Sequence, residues 1–386
     1  MRGLTVFVSG VVLMETVLFT ALSPLLPGYV RVLGLSKFEA GLLVGSYAAG
    51  ALAGAVPSGL LASRRGAKPT MLLGLVLLAG SSVVFGFVRD AWLLDLTRFV
   101  GGVGASLAWT GALIWLVLEA PARRRGELIG FVVAAAAGGA VLGPAVGAIA
   151  IAAGTRTTFL ALGLIGTVLA LTAIWFPGPG GGERQPLSMM IAPLRRPGLR
   201  SGLWLIAFAS STFGVLGVLA PIRLDSLGVS GSAIGGIFVI ASALEAGMTI
   251  VAGRWADRSG RQAPLRASLL VSTGVLLLLP IAMSEWSLAV LVVIVFTACG
   301  TIFAPAIALL ADEAEHAGLE YAFSFALLNA SWAPGLLIGS GGGGALASSL
   351  GDTTPYLLLA LLCAPTLLVL RHVPKHELLP TRRLVE

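Results

Sequence analysis

The sequence predicts an all-α membrane protein of twelve transmembrane helices in two pseudo-symmetric bundles of six. Three observations predict it: a composition too apolar for a water-facing surface, twelve apolar segments of spanning length, and an internal repeat that divides them six and six. Hydrophobic residues make up 57% of the 386 and charged residues only 11%, against about 25% charged in soluble domains. The mean hydropathy of +0.96 has the same sense. Lipid is the solvent that fits, and a helix needs about 20 apolar residues to cross it.

The first six apolar segments fall at about 5–27, 38–61, 70–88, 91–118, 127–153 and 157–176. The second six fall at about 202–221, 231–252, 264–283, 286–311, 321–346 and 353–372. Between the sets lies a stretch rich in Pro, Gly and Arg, expected to hold a short interfacial helix around 187–194. The expected organisation is an N-terminal bundle over 1–176, a cytoplasmic linker over 177–201, a C-terminal bundle over 202–372 and a cytoplasmic tail over 373–386. Arg2 ahead of an apolar run resembles a signal peptide, but Glu15 interrupts the run and no cleavage site of small residues follows.

Positive charge orients the chain. Nineteen of the 25 Lys and Arg residues fall in the N-terminus, the tail, the linker and the loops 2–3, 4–5 and 8–9. Five fall on the opposite side, and Arg98 lies within the fourth segment. That asymmetry predicts both termini in the cytoplasm.

The repeat runs at one offset. Leu33-Gly34-Leu35-Ser36 matches Leu227-Gly228-Val229-Ser230, and Gly41, Gly59 and Gly66 meet Gly235, Gly253 and Gly260. Parallel repeats of this kind are related by an axis along the membrane normal, with a substrate site near the midplane between them.

The loop after the eighth segment, Gly253-Arg254-Trp255-Ala256-Asp257-Arg258-Ser259-Gly260-Arg261, resembles the G-x-x-x-D-R-x-G-R motif of the major facilitator family. Its glycines permit a tight turn, and its Asp is expected to cap a helix start. The first-half copy, Gly59 to Lys68, has Ser63 in place of the Asp, followed by Arg64, Arg65 and Gly66. Ser63 can cap a helix but cannot form a charged latch. The resemblance implies that these loops help to close the cytoplasmic side.

In the fourth segment Arg98-Phe-Val-Gly-Gly102-Val-Gly104 is similar to the family's R-x-x-x-G-x-G pattern. An intramembrane Arg faces the bundle interior, paired or bonded to backbone carbonyls, and Asp95 at i−3 is a candidate partner. In the fifth segment Gly130, Gly139, Gly143-Pro144 and Gly147 resemble the antiporter motif of drug/proton antiporters, with Ala148 where its last Gly would stand. Gly139, Gly143 and Gly147 share one helix face and let another helix approach closely. Pro144 can kink the helix, and Gly130 falls off the stripe. In the first segment Glu15 stands nine residues before Pro24 of Pro24-Leu-Leu-Pro27. This is similar to the first helix of vesicular amine transporters and their bacterial drug-exporter relatives.

Glu15 lies roughly 15 Å from the helix start, near the midplane, where a carboxylate is costly. It is therefore a proton-coupling candidate, with Arg98 and Glu245. Glu245, in the eighth segment, is expected to be a second proton site or the partner of a cytoplasmic-side Arg. The amine transporters' further acids have no counterparts: Asn329 stands at one position and the other falls near Gly300.

Asn329 is the only Asn in the chain. Sugar sites need several fixed donors and acceptors, which amides commonly supply. Asn329, Trp332, Trp109, Tyr47 and Phe213 are the substrate-cavity candidates. Trp115, Trp204 and Phe208 are further embedded aromatics. An apolar pocket with an acid suits a lipophilic compound, cationic ones included. The prediction is a secondary active transporter, a proton-coupled antiporter exporting such compounds. The alternatives are a uniporter or proton-coupled carrier for a small polar metabolite such as a sugar, and a non-transporting receptor or scaffold on the same fold.

Other classes find no support. The net charge of +7 comes without a basic run interleaved with aromatics, so nucleic acid is not an expected partner. Cys299 and Cys363 lack metal-ligand spacing, and His316, His372 and His376 lie in predicted loops or the tail. No Gly-Lys pair exists for a phosphate-binding loop, so no ATPase, enzyme activity, cofactor or metal is expected. The expected partners are substrate, protons and the bilayer, with the monomer as the working unit.

Overall fold

The computed structural model describes residues 1–178, 196–316 and 321–370. The expected helix around 187–194 and the tail, with Arg184, Arg195, His372 and His376, lie outside the described residues. Ten described helices are long and apolar enough to cross a membrane, and Thr353–Val369 is a shorter apolar one. No strand occurs among the described residues.

The N-terminal half contains α1 (Arg2–Thr20), α2 (Leu26–Leu33), α3 (Lys37–Arg65), α4 (Ala67–Phe87), α5 (Ala91–Glu119), α6 (Arg125–Ala153) and α7 (Thr155–Thr172). The C-terminal half contains α8 (Pro197–Ser226), α9 (Gly231–Ser259), α10 (Gln262–Leu278), α11 (Glu285–Gly300), α12 (Phe303–His316), α13 (Tyr321–Leu337), α14 (Gly343–Leu350) and α15 (Thr353–Val369). Twelve passes result because α1 with α2, α11 with α12, and α13 with α14 each make one crossing. The first is interrupted by a turn over 21–25 that contains Pro24. The last is joined by a π-helical segment, Ile338–Gly342. α8 starts at Pro197, inside the expected linker. Pro suits the first turn, where its missing N–H would have no partner anyway.

The repeat is visible in backbone detail. Gly34 and Gly228 are both left-handed, as are Gly66 and Gly260. Ser36 and Ser230 cap α3 and α9 through their side chains. At the repeat offset, Pro144 of α6 corresponds to Ile338, the first residue of the π segment. Each irregular helix receives the start of the other half's second span. A Cβ at Gly235 of α9 would stand 3.0 Å from the Pro144 carbonyl oxygen, and one at Gly41 of α3 would run into the Ser340 carbonyl. Backbones this close explain why glycine recurs at both places.

These contacts between halves gather at the end of the bundle away from the N-terminus. Two ion pairs add to them there, Arg31 with Asp225 and Lys37 with Asp352. The other two described ion pairs each stay within one half: Arg124 with Glu127, and Arg261 with Asp312.

Candidate functional site

A cavity of about 340 Å³ lies between the halves. It is lined by Glu15, Tyr47, Arg98, Trp109, Phe213, Glu245, Asn329 and Trp332, so every proton-coupling and substrate-cavity candidate named from the sequence meets in one space. The volume lies within the range of drug-sized ligand pockets, about 300–1,000 Å³.

Glu15 projects from α1. Its Oε1 accepts a hydrogen bond from the Tyr47 hydroxyl at 2.7 Å, and its Oε2 accepts one from Thr16 at 3.1 Å. The Tyr47 ring also stacks obliquely on Phe19, 5.1 Å between centroids. Phe19 meets Trp332 of the other half edge-on at 5.4 Å. The carboxylate therefore sits where N-terminal polar contacts meet an aromatic seam between the halves.

Arg98 is buried, and its partner is not the expected Asp95. Its two terminal nitrogens donate to the carbonyls of Leu18 and Phe19 at 3.0 and 3.2 Å. Those carbonyls are left over at the end of α1, because the turn over 21–25 ends the i→i+4 ladder. A cation at a helix C-terminus is favoured by both the unpaired carbonyls and the helix dipole. The guanidinium carbon also lies 4.7 Å from the centre of the Tyr47 ring. Arg98 thus holds α1 one turn beyond Glu15, and Tyr47 touches both.

Glu245, on α9, lines the opposite half of the cavity. It makes no hydrogen bond or ion pair among the described residues, so the expected pairing with a cytoplasmic-side Arg does not form. Its carboxyl lies against Gly300, where a Cβ would stand 2.5 Å from Cδ.

The glycines of the α6 stripe pack closely against another helix. Cβ atoms at Gly139 would meet the Leu13 carbonyl at 2.6 Å, and at Gly143 the Thr20 side chain and the Val17 carbonyl. Gly147 faces Ala21 and Pro24. The stripe therefore seats α1, which carries Glu15. Gly130, off the stripe, is exposed with nothing within 4 Å.

The loop residues depart from expectation. Ser63 does not cap α4. Its hydroxyl donates to Leu60 within its own helix at 2.9 Å, because Gly66, not Ser63, is the residue at the start of α4. Asp257 does not cap α10 either, since it lies inside α9 and α10 starts after Arg261 with no side-chain cap. Gly59 and Gly253 have open space around them. Arg64 and Arg258 make no ion pair among the described residues, and Arg261 bonds Asp312 of α12.

The sequence singled out no role for Phe238, Phe296 or Phe303, which also line the cavity. Nothing in one sequence separates them from packing aromatics. Trp115 and Trp204 lie outside the cavity lining: Trp115 is buried against Phe7 and Phe176, and Trp204 is exposed on α8 and donates to Thr366 at 3.0 Å.

Comparisons with known proteins fit this arrangement. The family model described as Major Facilitator Superfamily matches residues 8–319 and 202–385. "Quinolone resistance protein NorA" of Staphylococcus aureus is 28% identical over 157 residues, 40% of each chain. "Multidrug resistance protein 2" of Bacillus subtilis is 26% identical over 152 residues, 39% of this chain and 38% of that one. The matched stretch thus spans about two fifths of these curated relatives. Among solved structures, a bacterial homologue of the human lysosomal transporter Spinster aligns with a TM-score of 0.77 at 14% identity, over 96% of this chain and 97% of that one. The xylose transporter XylE of E. coli aligns with a TM-score of 0.73 at 16% identity, over the same shares. At such identities the likeness is one of fold.

Proposed function

The chain belongs to the Major Facilitator Superfamily, and from that premise we propose that it is a proton-coupled antiporter exporting lipophilic compounds, cationic ones included, by alternating access. The observation that carries the reading is Glu15: a carboxylate at mid-helix depth, hydrogen-bonded to Tyr47 and Thr16, in an aromatic cavity between two halves. The names of the similar proteins, which speak of quinolone and multidrug resistance, support a drug-like cargo. The eight aromatic side chains that line the cavity also suit a lipophile, and Asn329 is its one amide.

With both termini in the cytoplasm, as the charge distribution predicts, the cavity faces inward and the two ion pairs between halves shut the outer end. Substrate enters from inside and the halves rock. Glu15 takes a proton from outside and yields it inside. Proton and substrate oppose each other, and that coupling free energy is reciprocal. For a neutral cargo, one net charge moved through 100 mV supplies about 2.3 kcal/mol, near fifty-fold accumulation, whereas one-for-one exchange of a proton for a monovalent cation moves no net charge and draws on the proton gradient alone.

The test is proton release from purified protein in detergent on adding a panel of lipophilic cations. Wild type is expected to release protons and Glu15→Gln is not. Substrate binding to wild type without release would replace antiport by facilitated diffusion.

A further inference from the structure

Two carboxylates line the cavity, and their surroundings differ in kind. Glu15 has two hydrogen-bond donors. Arg98, the cavity's cation, is committed to the α1 carbonyls. Glu245 has no partner among the described residues, and it is half-buried at mid-span on α9, where a charge without a counter-charge is disfavoured.

Phe213, Phe238, Phe296 and Phe303 line the same cavity. Phe213 and Phe296 meet edge to face at 4.3 Å, and Phe238 meets Phe296 in the same manner at 5.8 Å. Phe213 also stacks on Phe303 at 5.7 Å. Phenyl faces attract cations but accept no strong hydrogen bonds. Gly300 fixes where the carboxyl lies, since a Cβ there would stand 2.5 Å from Cδ and 2.6 Å from Oε1. The site therefore offers one negative charge and several π faces.

We propose that Glu245, framed by Phe213, Phe238 and Phe296 and seated by Gly300, binds the cationic centre of the cargo. The site takes a lipophilic organic cation, such as a quaternary ammonium or phosphonium. The cation is held in the C-terminal half while Glu15 handles the proton in the N-terminal half. Opposition between cargo and proton then travels through the movement of the halves and not through one shared carboxylate.

This inference deepens the transport reading by naming the cargo's charge, but its test reads binding and not transport. The probe is tetraphenylphosphonium, measured by equilibrium dialysis on the purified full chain, with neutral triphenylphosphine oxide as the companion probe. Glu245→Gln is expected to weaken the cation's binding at least about tenfold while leaving the neutral probe within about twofold. Gly300→Ala keeps the charge but displaces the carboxyl, and is expected to weaken the cation several-fold with the melting temperature held. Equal loss of both probes in Glu245→Gln would make Glu245 a structural residue and overturn the proposal. Unchanged cation binding in Glu245→Gln, or none in wild type, would overturn it too. Cation binding that needs Glu245 but releases no proton would remove the antiport reading and leave the site standing.

Discussion

At the scale of single residues, position in the sequence shows which groups are unusual, and the fold shows what they do. Glu15, Glu245 and Asn329 stand out because acids and amides are rare in apolar segments, and all three reach the cavity. Phe238 and Phe296 do not stand out among 16 phenylalanines, since an aromatic on a helix serves packing or a cavity according to its neighbours. Arg98 stands out, but its partners lie 80 and 79 residues away, beyond any local rule such as i−3 pairing. Its two charge-assisted bonds to α1 are worth about 1.5–3 kcal/mol each. Arg98→Ala should therefore lower the melting temperature of purified protein markedly. Arg98→Lys, with one ammonium to serve two carbonyls, should fall between. A melting temperature unchanged in Arg98→Ala would mean that α1 is held by the α6 stripe alone. Tyr47→Phe isolates the other contact. It keeps the ring beneath Arg98 and deletes only the donor to Glu15, so proton release should be impaired while the melting temperature changes by less than in Arg98→Ala.

At the scale of elements, the glycine stripe of α6 was legible because its four-residue spacing is geometry internal to one helix. Its partner was not, since nothing in the spacing says that α1 lies against it. The breaks over 21–25 and 338–342 were also hidden. Pro24 hints at the first, whereas the π segment depends on the approach of α3 to Ser340. The stripe and Gly130 make opposite predictions within one helix. Gly139→Val would drive side-chain atoms into the Leu13 carbonyl and Thr16. Overpacking of this kind costs about 1–3 kcal/mol, and it would shift α1 and with it Glu15. Both melting temperature and drug-stimulated proton release should fall. Gly130→Ala meets open space, and replacing Gly within a helix favours it by about 0.5–1 kcal/mol, so that variant should be as stable as wild type or more so. A harmless Gly139→Val would show that α1 can slide on α6 without moving the site.

At the scale of the whole molecule, the internal repeat is more than a record of two similar halves, because it places complementary groups across the axis that relates them. Arg31 and Asp225 are separated by 194 residues, the offset of the repeat itself, so equivalent positions in the two halves carry opposite charges and pair. Lys37 and Asp352 join the halves at the same end. At the other end no ion pair joins the halves among the described residues. Closure at the paired end thus rests on two different contributions. Backbone packing at Gly41 and Gly235 supplies one, and the two ion pairs supply the other. The ion pairs are partly exposed, with Arg31 65% and Asp225 18% accessible, and Lys37 34% and Asp352 39%, and exposed pairs are worth roughly 0.2–1 kcal/mol each. They can bias the closed state but cannot lock it, as the proposed alternating access requires. The double variant Asp225→Asn with Asp352→Asn should shift the population toward opening at that end by up to about thirtyfold, the two pairs together reaching about 2 kcal/mol at 1.4 kcal/mol per tenfold. Spin labels on the α2–α3 turn and on the start of α15 would report this as a longer distance population. Added salt should move wild type in the same direction, because exposed charges are screened, and should leave the double variant unchanged. If neither salt nor the variant alters the distances, glycine packing between the halves sets the closed state, and the ion pairs are bystanders to it.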